Sequence, residues 1–536
     1  MAAHQRPEGQ EGALRAPHRT RGELDRPVAL ENRILGAETE FGITTPTDPA
    51  LSPIVSSTHA VVAYAALREA ARSRWDFQAE SPLKDSRGFD LRRYRSAPVV
   101  DPNAMGVANV VLKNGARFYV DHAHPEYATP EVTDPLEAAR HDAAGDLVLR
   151  EATADIAGLF EEGRSVLEDR DPCPPIRIFK NNVDGKGASF GSHENYQYDR
   201  ALDFEELTAA LVPFFVTRQV LIGAGRMGRG QRGEEPGFQI SQRADYFEQV
   251  VSLETTLNRG IVNTRDEPHA NPRRFGRLHT IIGDANRSET ATFLKLALTS
   301  MVVAAVEDGV DFSDLALADP VGELTAVSYD PTLTHRLELS DGRRLPALAI
   351  LEEYLSRLTP ALPSERRALD TAAELLGQLS RDVLGAADRL DWVAKWAIIS
   401  RYLERGAPVR DAKLQAVDLQ YADVDESRSL YSALVRSGRM RRLFSDEELR
   451  DAVESAPGDT RAWLRGLLVE RFRPAVVSAN WRSVALADPN DPTAEIRVGL
   501  GDGPSPAISP ADLEGLDLEA TLRALADAGL SVEPMG

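Results

Sequence analysis

Cysteine is nearly absent from this sequence, since Cys173 is the single cysteine among 536 residues. One cysteine cannot form an intrachain disulfide, so we expect a protein of the reducing cytoplasm. Cys173 stands among prolines, in the segment Asp-Pro-Cys-Pro-Pro, which favours a turn over a catalytic nucleophile. The scarcity of cysteine therefore excludes disulfide scaffolds and argues against thiol chemistry.

Basic residues are in deficit, because 62 Lys and Arg face 83 Asp and Glu and give a formal net charge of −21. This charge argues against non-specific binding to nucleic acid or to anionic membranes, and we expect neither as a partner.

Long apolar runs are missing too. The most apolar stretch, 293–306, is interrupted by Lys295 and is too short to span a bilayer, so it predicts a buried core helix. No apolar segment near the N-terminus indicates a secretory signal.

The remaining composition is that of a globular protein, with 42% hydrophobic and 27% charged residues. The length exceeds one typical domain, so we expect a large domain and at least one smaller one. We predict a disordered extension over 1–27, a large domain over 28–430, a small α/β domain over 431–500, and a tail with a short helix over 501–536. The polar, weakly periodic stretch from Glu80 to Pro102 is typical of a functional or disordered segment of the large domain, and we expect a mobile loop over 80–99.

Local patterns predict alternating strands and helices. In the first half we expect a strand over 34–43, a helix capped by Thr58, two short strands over 107–120 around Asn114-Gly115, and a helix over 136–167. Further along we expect a helix from its N-cap Asp203 to about 212, a strand over 214–222, and a long helix from about Ser288.

Glu38 and Glu40 are the first candidate site residues. Residues two apart in a strand point to the same face, about 7 Å from one another. Two carboxylates aimed together are costly to bury unless a cation lies between them, and hard oxygen ligands suit Mg²⁺. A solvated strand face with paired basic residues is the alternative, but the neighbouring residues are apolar or small.

The segment 117–127 holds a second group, in which Arg117, Tyr119 and Asp121 share one face of a strand. Pro125 is expected to end that strand, which leaves Glu126 just past its end. The alternative is a solvated strand end with an Arg–Asp pair. His122 and His124 also suggest zinc, but zinc needs three or four nitrogen or sulfur ligands, and the sequence nearby offers no third.

A glycine-containing loop over 180–191 leads into a strand on which His193 and Asn195 share a face. Glycines allow a ligand to approach the backbone closely, and Lys186 in this loop could meet a phosphate. The Gly-Lys-Ser/Thr ending of a Walker A loop is missing. The segment 223–228 matches G-x-G-x-x-G, but the charged, proline-containing residues after it cannot supply the helix that a dinucleotide site requires.

Several cations occur within apolar segments of this acidic chain, namely Arg243, Arg265 and Arg277, together with His279. Arginine suits bidentate binding of phosphate or carboxylate. The alternative pairs each arginine with one of the surplus surface carboxylates.

Taken together, these motifs resemble the family formed by the Pup ligase and the Pup deamidase/depupylase, within the carboxylate–amine ligase superfamily. The resemblance runs from about Arg33 to about Trp481, with several long motifs in the right order. Three features resemble the deamidase/depupylase branch: the strand end 119–126, the loop 183–189, and the segment from Glu80 to about Val99, which the ligase lacks. The resemblance implies an α+β fold: a glutamine-synthetase-like large domain with a curved antiparallel sheet flanked by helices, and a small C-terminal α/β domain.

The resemblance also implies roles for individual residues. Asp121 would be the catalytic carboxylate, acting as a nucleophile or as a base for water. The implied Mg²⁺ ligands are Glu38, Tyr119 and Glu126, with Glu40 and His193 close to metal or nucleotide. The implied ATP contacts are Arg117, Thr129 and Trp481, and the residues implied around phosphates or the reacting carboxamide are Arg243, Arg265 and His279.

The activity implied by the resemblance is ATP- and Mg²⁺-dependent hydrolysis of the side-chain amide of Pup's C-terminal Gln and of the isopeptide bond between Pup and lysine. ATP or ADP and Mg²⁺ are the implied cofactors, and Pup and pupylated proteins the partners, with the proteasomal ATPase as a further candidate. The family tends to be monomeric. Two alternatives stay open: a Pup–protein ligase that forms the isopeptide bond, and an inert nucleotide-binding scaffold.

Overall fold

The computed structural model describes residues 29–68, 74–77, 80, 84–87, 106–184, 187–228, 236–491, 493–502 and 508–535. The predicted disordered extension 1–27 lies outside the described residues, and so does most of the predicted mobile loop 80–99.

The strands of the described segments are numbered in chain order. They are β1 (Leu35–Glu40), β2 (Gly42–Thr44), β3 (Arg74–Trp75), β4 (Asn109–Val111), β5 (Arg117–Asp121), β6 (His124–Ala128), β7 (Arg177–Phe179), β8 (Ser192–Asp199), β9 (Arg226–Gly228), β10 (Gly237–Gln239), β11 (Phe247–Ser252), β12 (Arg259–Asn263), β13 (Phe275–Thr280), β14 (Arg336–Glu338), β15 (Arg344–Pro346), β16 (Val476–Ala479), β17 (Ser483–Ala487), β18 (Glu495–Gly499) and β19 (Val532–Met535).

The α-helices are numbered in the same way. They are α1 (Pro53–Leu67), α2 (Pro135–Glu161), α3 (Phe204–Ile222), α4 (Glu289–Glu307), α5 (Pro320–Ser328), α6 (Ala347–Arg357), α7 (Pro363–Arg381), α8 (Asp391–Glu404), α9 (Ala412–Ala422), α10 (Leu430–Arg436), α11 (Asp446–Glu454), α12 (Ala462–Arg471), α13 (Pro510–Leu513) and α14 (Leu518–Asp527).

A six-stranded antiparallel sheet in the order β13-β8-β1-β6-β5-β4 forms the centre of the large domain. Helices α1, α2 and α4 pack against one of its faces. Alternation along β5 sends Phe118 and Val120 into the core with α1, so Arg117, Tyr119 and Asp121 lie on the other face. The predicted α+β class, with helices flanking an antiparallel sheet, is confirmed.

Helix α4 forms the centre of the largest hydrophobic core, and Ser288 caps it by accepting a hydrogen bond from the backbone N–H of Ala291. Among the described residues, α4 is the one helix long and apolar enough to cross a membrane, yet 94% of its apolar window is buried inside the protein. The prediction of a buried core helix over 293–306 is therefore confirmed.

Several predicted elements were wrong in type or in extent. The stretch 214–222 is helical, because α3 continues through Pro213 to Ile222; a continuous apolar run fits a buried helix as well as a strand. Helix α1 starts at Pro53, ahead of the predicted cap Thr58. Pro125 does not end a strand but lies within β6, so Glu126 is in the middle of a strand.

The C-terminal unit is built on a five-stranded sheet in the order β19-β18-β17-β16-β3, covered by α12 and α14. The predicted boundary near 430 is too early for the start of this unit. Helix α11, which follows that boundary, packs on α2 of the large domain. The predicted tail supplies α14 and the edge strand β19. Strand β3, from far earlier in the chain, pairs in parallel with β16, which ties the two units together.

Candidate active site

Carboxylates converge on the open face of the central sheet. Glu40 lies directly opposite Glu126 in the β1–β6 register, and Glu126 lies opposite Tyr119 in β5. On the other side of β1, Glu38 pairs with His193 of β8. Because directly opposed residues share a face, the sheet brings together groups that are up to 155 positions apart, from Glu38 to His193.

Two overlapping groups in this cluster have the spacing of a metal site. One ligand atom each of Glu38, Glu126 and His193 lie within 4.8 Å of one another, and so do one each of Glu40, Asp121 and Glu126. Burial, together with the charges of Asp121, Glu40 and Glu38, raises the pKa of Glu126 well above its usual value. Packed carboxylates of this kind are stabilised by a cation, and their hard oxygens suit Mg²⁺.

Gly191 completes the surroundings of this cluster. Its N–H donates to Glu40 Oε1 at 2.9 Å, and a Cβ at this position would lie 2.2 Å from His193 Nε2 and 2.8 Å from Glu40 Oε1. His124 approaches the other oxygen of Glu40, at 3.1 Å from Nδ1 to Oε2. The absence of a side chain at Gly191 therefore leaves the space that Glu40 and His193 occupy beside each other.

Asp121 differs from the other carboxylates in its accessibility. Its side chain is 41% exposed, whereas those of Glu38 and Glu40 are 19% and 9% exposed. Burial acts to raise the pKa of Asp121, but the hydrogen bond and charge of His122, 3.0 Å away, together with the charges of His193 and Arg117, outweigh burial and lower that pKa. His122 sits in the tight β5–β6 turn with φ of 51°. Asp121 is thus an ionised carboxylate that an incoming molecule can reach.

A cleft of about 640 Å³ opens beside Glu38 and runs toward the C-terminal unit. Thr129, Asn195 and Trp481 line it, and so does Gly36, where a Cβ would lie 3.1 Å from Thr129 Oγ1. Thr129 and Trp481, predicted as nucleotide contacts, therefore border one cavity.

Arg117 is held between two aromatic rings. Its guanidinium carbon lies 3.9 Å from the centroid of Trp75 and 3.7 Å from that of Tyr119, and its Nε donates to Asn109 Oδ1 at 2.7 Å. Trp75 in turn contacts Trp481 edge-on, with centroids 5.2 Å apart. Stacking on both faces fixes the guanidinium, and Trp75 is a contributor that the sequence did not reveal.

Asn195 links the carboxylates to the neighbouring cations. Its Nδ2 donates to Glu38 Oε1 at 3.2 Å, while its Oδ1 accepts hydrogen bonds from Arg277 and from Nδ1 of His279, each at 3.0 Å. Burial and the charge of Arg277 lower the pKa of His279 well below its usual value, so His279 is neutral. A neutral His279 donates to Asn195 and offers a ring nitrogen on its other side.

The two other predicted phosphate-binding arginines occupy different surroundings. Arg265 is half-buried, and its charge acts on Glu38; its strand segment forms a bridge with Asp85, at the described part of the predicted loop. Arg243 is 1% exposed, and its guanidinium donates to the carbonyl of Ile281 and, at 3.3 Å, to Ser189 Oγ. Arg243 therefore supports the glycine loop from behind rather than facing open space.

The remaining candidates lie outside this cluster. Lys186 falls outside the described residues. The G-x-G-x-x-G segment follows helix α3 and ends in strand β9, and residues 229–235 after it lie outside the described residues. Cys173 is buried, and burial raises the pKa of its thiol to about 12. It carries no reactive thiolate.

Sequence reasoning missed several residues that complete the site. Trp75 carried no local signal, because it reaches the site only through tertiary packing. Arg259 likewise reaches the glycine loop through tertiary packing, where its guanidinium donates to the carbonyl of Ser189. Glu131 and Arg461 line the cleft, and Glu131 is paired with both Arg461 and Arg465. His124, considered in the sequence only as a zinc ligand, approaches Glu40 instead.

Comparison with known proteins places the chain in a family. Residues 33–485 match the sequence model of the family described as "Pup-ligase protein". A Pup deamidase/depupylase of Mycolicibacterium smegmatis is 48% identical over 463 residues, covering 84% of this chain and 91% of its own. A depupylase of Acidothermus cellulolyticus is 46% identical, covering 84% and 90%. A Pup–protein ligase of Nocardioides sp. is 40% identical, covering 71% and 85%.

Solved structures agree with this placement. The ligase PafA in complex with the prokaryotic ubiquitin-like protein Pup superimposes with a TM-score of 0.72 at 29% identity, covering 94% of this chain and 93% of that one. PafA in complex with ADP superimposes with a TM-score of 0.68 at 31% identity, covering 80% and 92%. On the match over 33–485 and on these relatives, the chain belongs to the Pup-ligase protein family.

Proposed function

We propose that the chain is a Pup deamidase and depupylase. It removes the side-chain amide from the C-terminal Gln of Pup, and it cleaves the isopeptide bond between the Pup C-terminal Glu side chain and a substrate lysine. Both reactions break the C–N bond at the same γ-carbonyl, so one site serves both. Among the relatives above, identity is higher to the depupylases than to the ligase.

The single observation that carries the proposal is the state of Asp121. It is the accessible member of a carboxylate cluster whose other members are largely buried. A carboxylate of this kind serves either as a nucleophile or as a general base, and hydrolysis of an amide needs one or the other.

We infer that ATP or ADP and Mg²⁺ are the cofactors. Glu38, Glu126 and Tyr119 would hold the metal, with Glu40 and His193 beside it, and the cleft lined by Thr129 and Trp481 would hold the nucleotide. Bound Mg²⁺ would neutralise these carboxylates and favour negative charge on a nearby carbonyl oxygen. The PafA–ADP complex supports the nucleotide part of this inference.

The reaction balances in two ways. With Asp121 as base, it takes a proton from water, the hydroxyl adds to the side-chain carbonyl carbon, and the nitrogen leaves with that proton. With Asp121 as nucleophile, its oxygen displaces the nitrogen, which leaves with a proton taken from water, and the resulting hydroxide then opens the anhydride. In both cases the amide yields a carboxylate and ammonia or lysine. Arg265 and Arg277 lie near Glu38 and supply positive charge for the developing oxyanion.

The test is to mix the full chain with Pup ending in Gln, Mg²⁺ and ATP, and to follow ammonia release. We expect release from the wild type and its loss, by at least about a hundredfold, in Asp121→Asn. Nucleotide binding should survive this change, because Asp121 does not line the cleft. No ammonia, or equal release from both proteins, would contradict the proposal.

A Pup–protein ligase is the second candidate, favoured by the family description and by the superposition on PafA. A ligase consumes ATP and accumulates conjugate, whereas a depupylase removes preformed conjugate. Incubating the protein with a pupylated substrate, and separately with Pup ending in Glu plus a free substrate protein, separates the two. We expect loss of conjugate in the first reaction and no stoichiometric ADP in the second.

Pup and pupylated proteins are the proposed partners, and the proteasomal ATPase is a further one. We also propose a cytoplasmic monomer. Sedimentation of the pure chain tests the monomer, and co-purification tests the ATPase.

A further inference from the structure

Glu80 accepts a hydrogen bond from the indole of Trp75. The Nε1–H of Trp75 donates to Glu80 Oε1 at 2.7 Å, and Trp75 is only 4% exposed. This N–H is the single polar group of the Trp75 side chain. Because a buried donor without an acceptor is costly, the ring is most stable in the orientation that reaches Glu80. Glu80 thereby selects the orientation of the Trp75 ring.

The backbone of Trp75 is fixed independently of Glu80. Trp75 pairs with Ala479 where β3 meets β16, and the N–H of the next residue, Asp76, donates to the carbonyl of Ala479 at 2.9 Å. With the backbone held in this way, the remaining freedom of Trp75 is rotation about the bonds of its side chain. The hydrogen bond to Glu80 restricts that rotation, so its effect falls on the groups that the ring contacts.

The ring contacts two residues that are predicted nucleotide contacts. Its centroid lies 3.9 Å from the guanidinium carbon of Arg117 and 5.2 Å from the ring centroid of Trp481, which lines the cleft. Glu80 itself is not among the described residues that line the cleft. A rotation of the Trp75 ring would therefore disturb Arg117 and Trp481 together, without any substitution in the cleft lining.

The charge of Glu80 is a second route by which this residue could act. Burial raises the pKa of Glu80, and the charges of Arg117 and Arg277 act to lower it, so the carboxylate lies within the field of both arginines. Glutamine at this position keeps an acceptor oxygen but carries no charge. Comparing glutamine with alanine at position 80 therefore separates the hydrogen bond from the charge.

We propose that Glu80 is a positioning residue for nucleotide binding. By accepting from the Trp75 indole, it holds the ring against Arg117 and beside Trp481, and so keeps both contacts in place for the nucleotide. Glu80 acts through Trp75, by its acceptor oxygen rather than by its charge. The inference rests on the proposed function, because it takes Arg117 and Trp481 as nucleotide contacts.

The test measures ADP binding to the full chain by calorimetry with Mg²⁺ present, and ammonia release from Pup ending in Gln across a range of ATP concentrations. In Glu80→Ala we expect the Kd for ADP and the KM for ATP to rise at least about threefold, as for the loss of one cation–π contact, with kcat unchanged. Glu80→Gln should bind ADP as the wild type does. Glu80→Asp keeps the charge but draws the acceptor back by one methylene. It should raise the KM without changing kcat, so it remains informative where Glu80→Ala does not fold.

The rescue variant combines Trp75→Phe with Glu80→Ala. Phenylalanine keeps a ring but has no N–H that needs an acceptor, so the double variant should recover most of the ADP affinity that Glu80→Ala loses. The matched control is Glu470→Ala, which removes an exposed carboxylate on α12 of the C-terminal unit and should leave ADP binding unchanged.

Three results would overturn the proposal: wild-type ADP affinity in Glu80→Ala, equal losses in Glu80→Gln and Glu80→Ala, or no recovery in the double variant. Absence of ADP binding to the wild type would overturn it too, together with the nucleotide part of the proposed function. A wild type that binds ADP but releases no ammonia would contradict the proposed reaction alone. The ADP affinities of the variants would still decide the role of Glu80 in that case.

Discussion

Replacing Gly191 by alanine tests whether Glu40 and His193 lie beside the proposed metal ion. The new methyl group would lie 2.2 Å from His193 Nε2 and 2.8 Å from Glu40 Oε1, so both side chains have to move. The backbone can accept alanine, since Gly191 is not among the residues with positive φ. The change therefore acts on the positions of these two side chains rather than on the conformation of the chain.

The expected magnitude follows from that displacement. Changes next to metal ligands typically cost about 10- to 100-fold in metal affinity or activity. This corresponds to about 1.4–2.7 kcal/mol of binding free energy. Overpacking costs about 1–3 kcal/mol of stability, which a chain of this size tolerates. We expect the variant to fold, to bind Mg²⁺ at least tenfold more weakly, and to release ammonia more slowly at limiting Mg²⁺.

The assay is calorimetric titration with MgCl₂ in the presence of nucleotide, together with ammonia release across a range of Mg²⁺ concentrations. Gly158→Ala is the matched control, because a Cβ there meets nothing within 4 Å and the position is in α2. That control should gain about 0.5–1 kcal/mol of stability and keep wild-type Mg²⁺ affinity. Unchanged Mg²⁺ affinity in folded Gly191→Ala would refute a metal ion beside Glu40 and His193.

Three further predictions follow from buried contacts around the site. Trp75→Ala removes one of the two rings that hold Arg117. The lost cation–π contact, worth about 0.5–2 kcal/mol, should raise the KM for ATP about 2- to 30-fold. Trp75→Phe keeps a ring and should largely restore the wild-type KM. Glu131→Gln leaves Arg461 and Arg465 buried without their carboxylate and should cost about 3–5 kcal/mol of unfolding free energy in denaturant titrations; a loss under 1 kcal/mol would contradict this. Burial raises the pKa of Glu131, but Arg465 and Arg461 outweigh burial and hold that pKa at about 2 in the folded state, against 4.5 in the unfolded state. The stability that the ionised Glu131 contributes is therefore fully present above pH 4.5 and is lost as the pH falls toward 2. This pH-dependent loss of stability should be absent from the acid unfolding curve of Glu131→Gln.

Much of the site was predictable because its residues lie two positions apart along single strands. Glu38 and Glu40 are two residues apart on one strand, and so are Arg117, Tyr119 and Asp121, so strand geometry alone puts each set on one face. The charge deficit and the lone cysteine excluded whole classes of function before any element was placed. That β1 meets both β6 and β8, and so joins these sets, could not be derived from periodicity.

Other features depend on contacts between distant segments. The stretch 214–222 is uniformly apolar, so its period could not distinguish a strand from the buried helix that α3 forms. Trp75 reaches Arg117 because β3 joins the C-terminal sheet by pairing with β16. The two strands are separated by about 400 residues in the sequence, so no local pattern could predict that they pair. Arg243 was predicted as a phosphate contact from its residue type, yet packing buries it behind the glycine loop.

The sequence by itself determined the chemistry of this protein: an acidic chain whose carboxylates, histidines and arginines alternate along strands, with the long motifs of its family in order. Only the tertiary structure decided which of those groups meet and which one remains open to solvent. The physical reason is that alternation along a strand determines the face of the sheet on which a side chain lies. The strand register, the burial and the neighbours across the sheet determine its charge and the groups that it contacts.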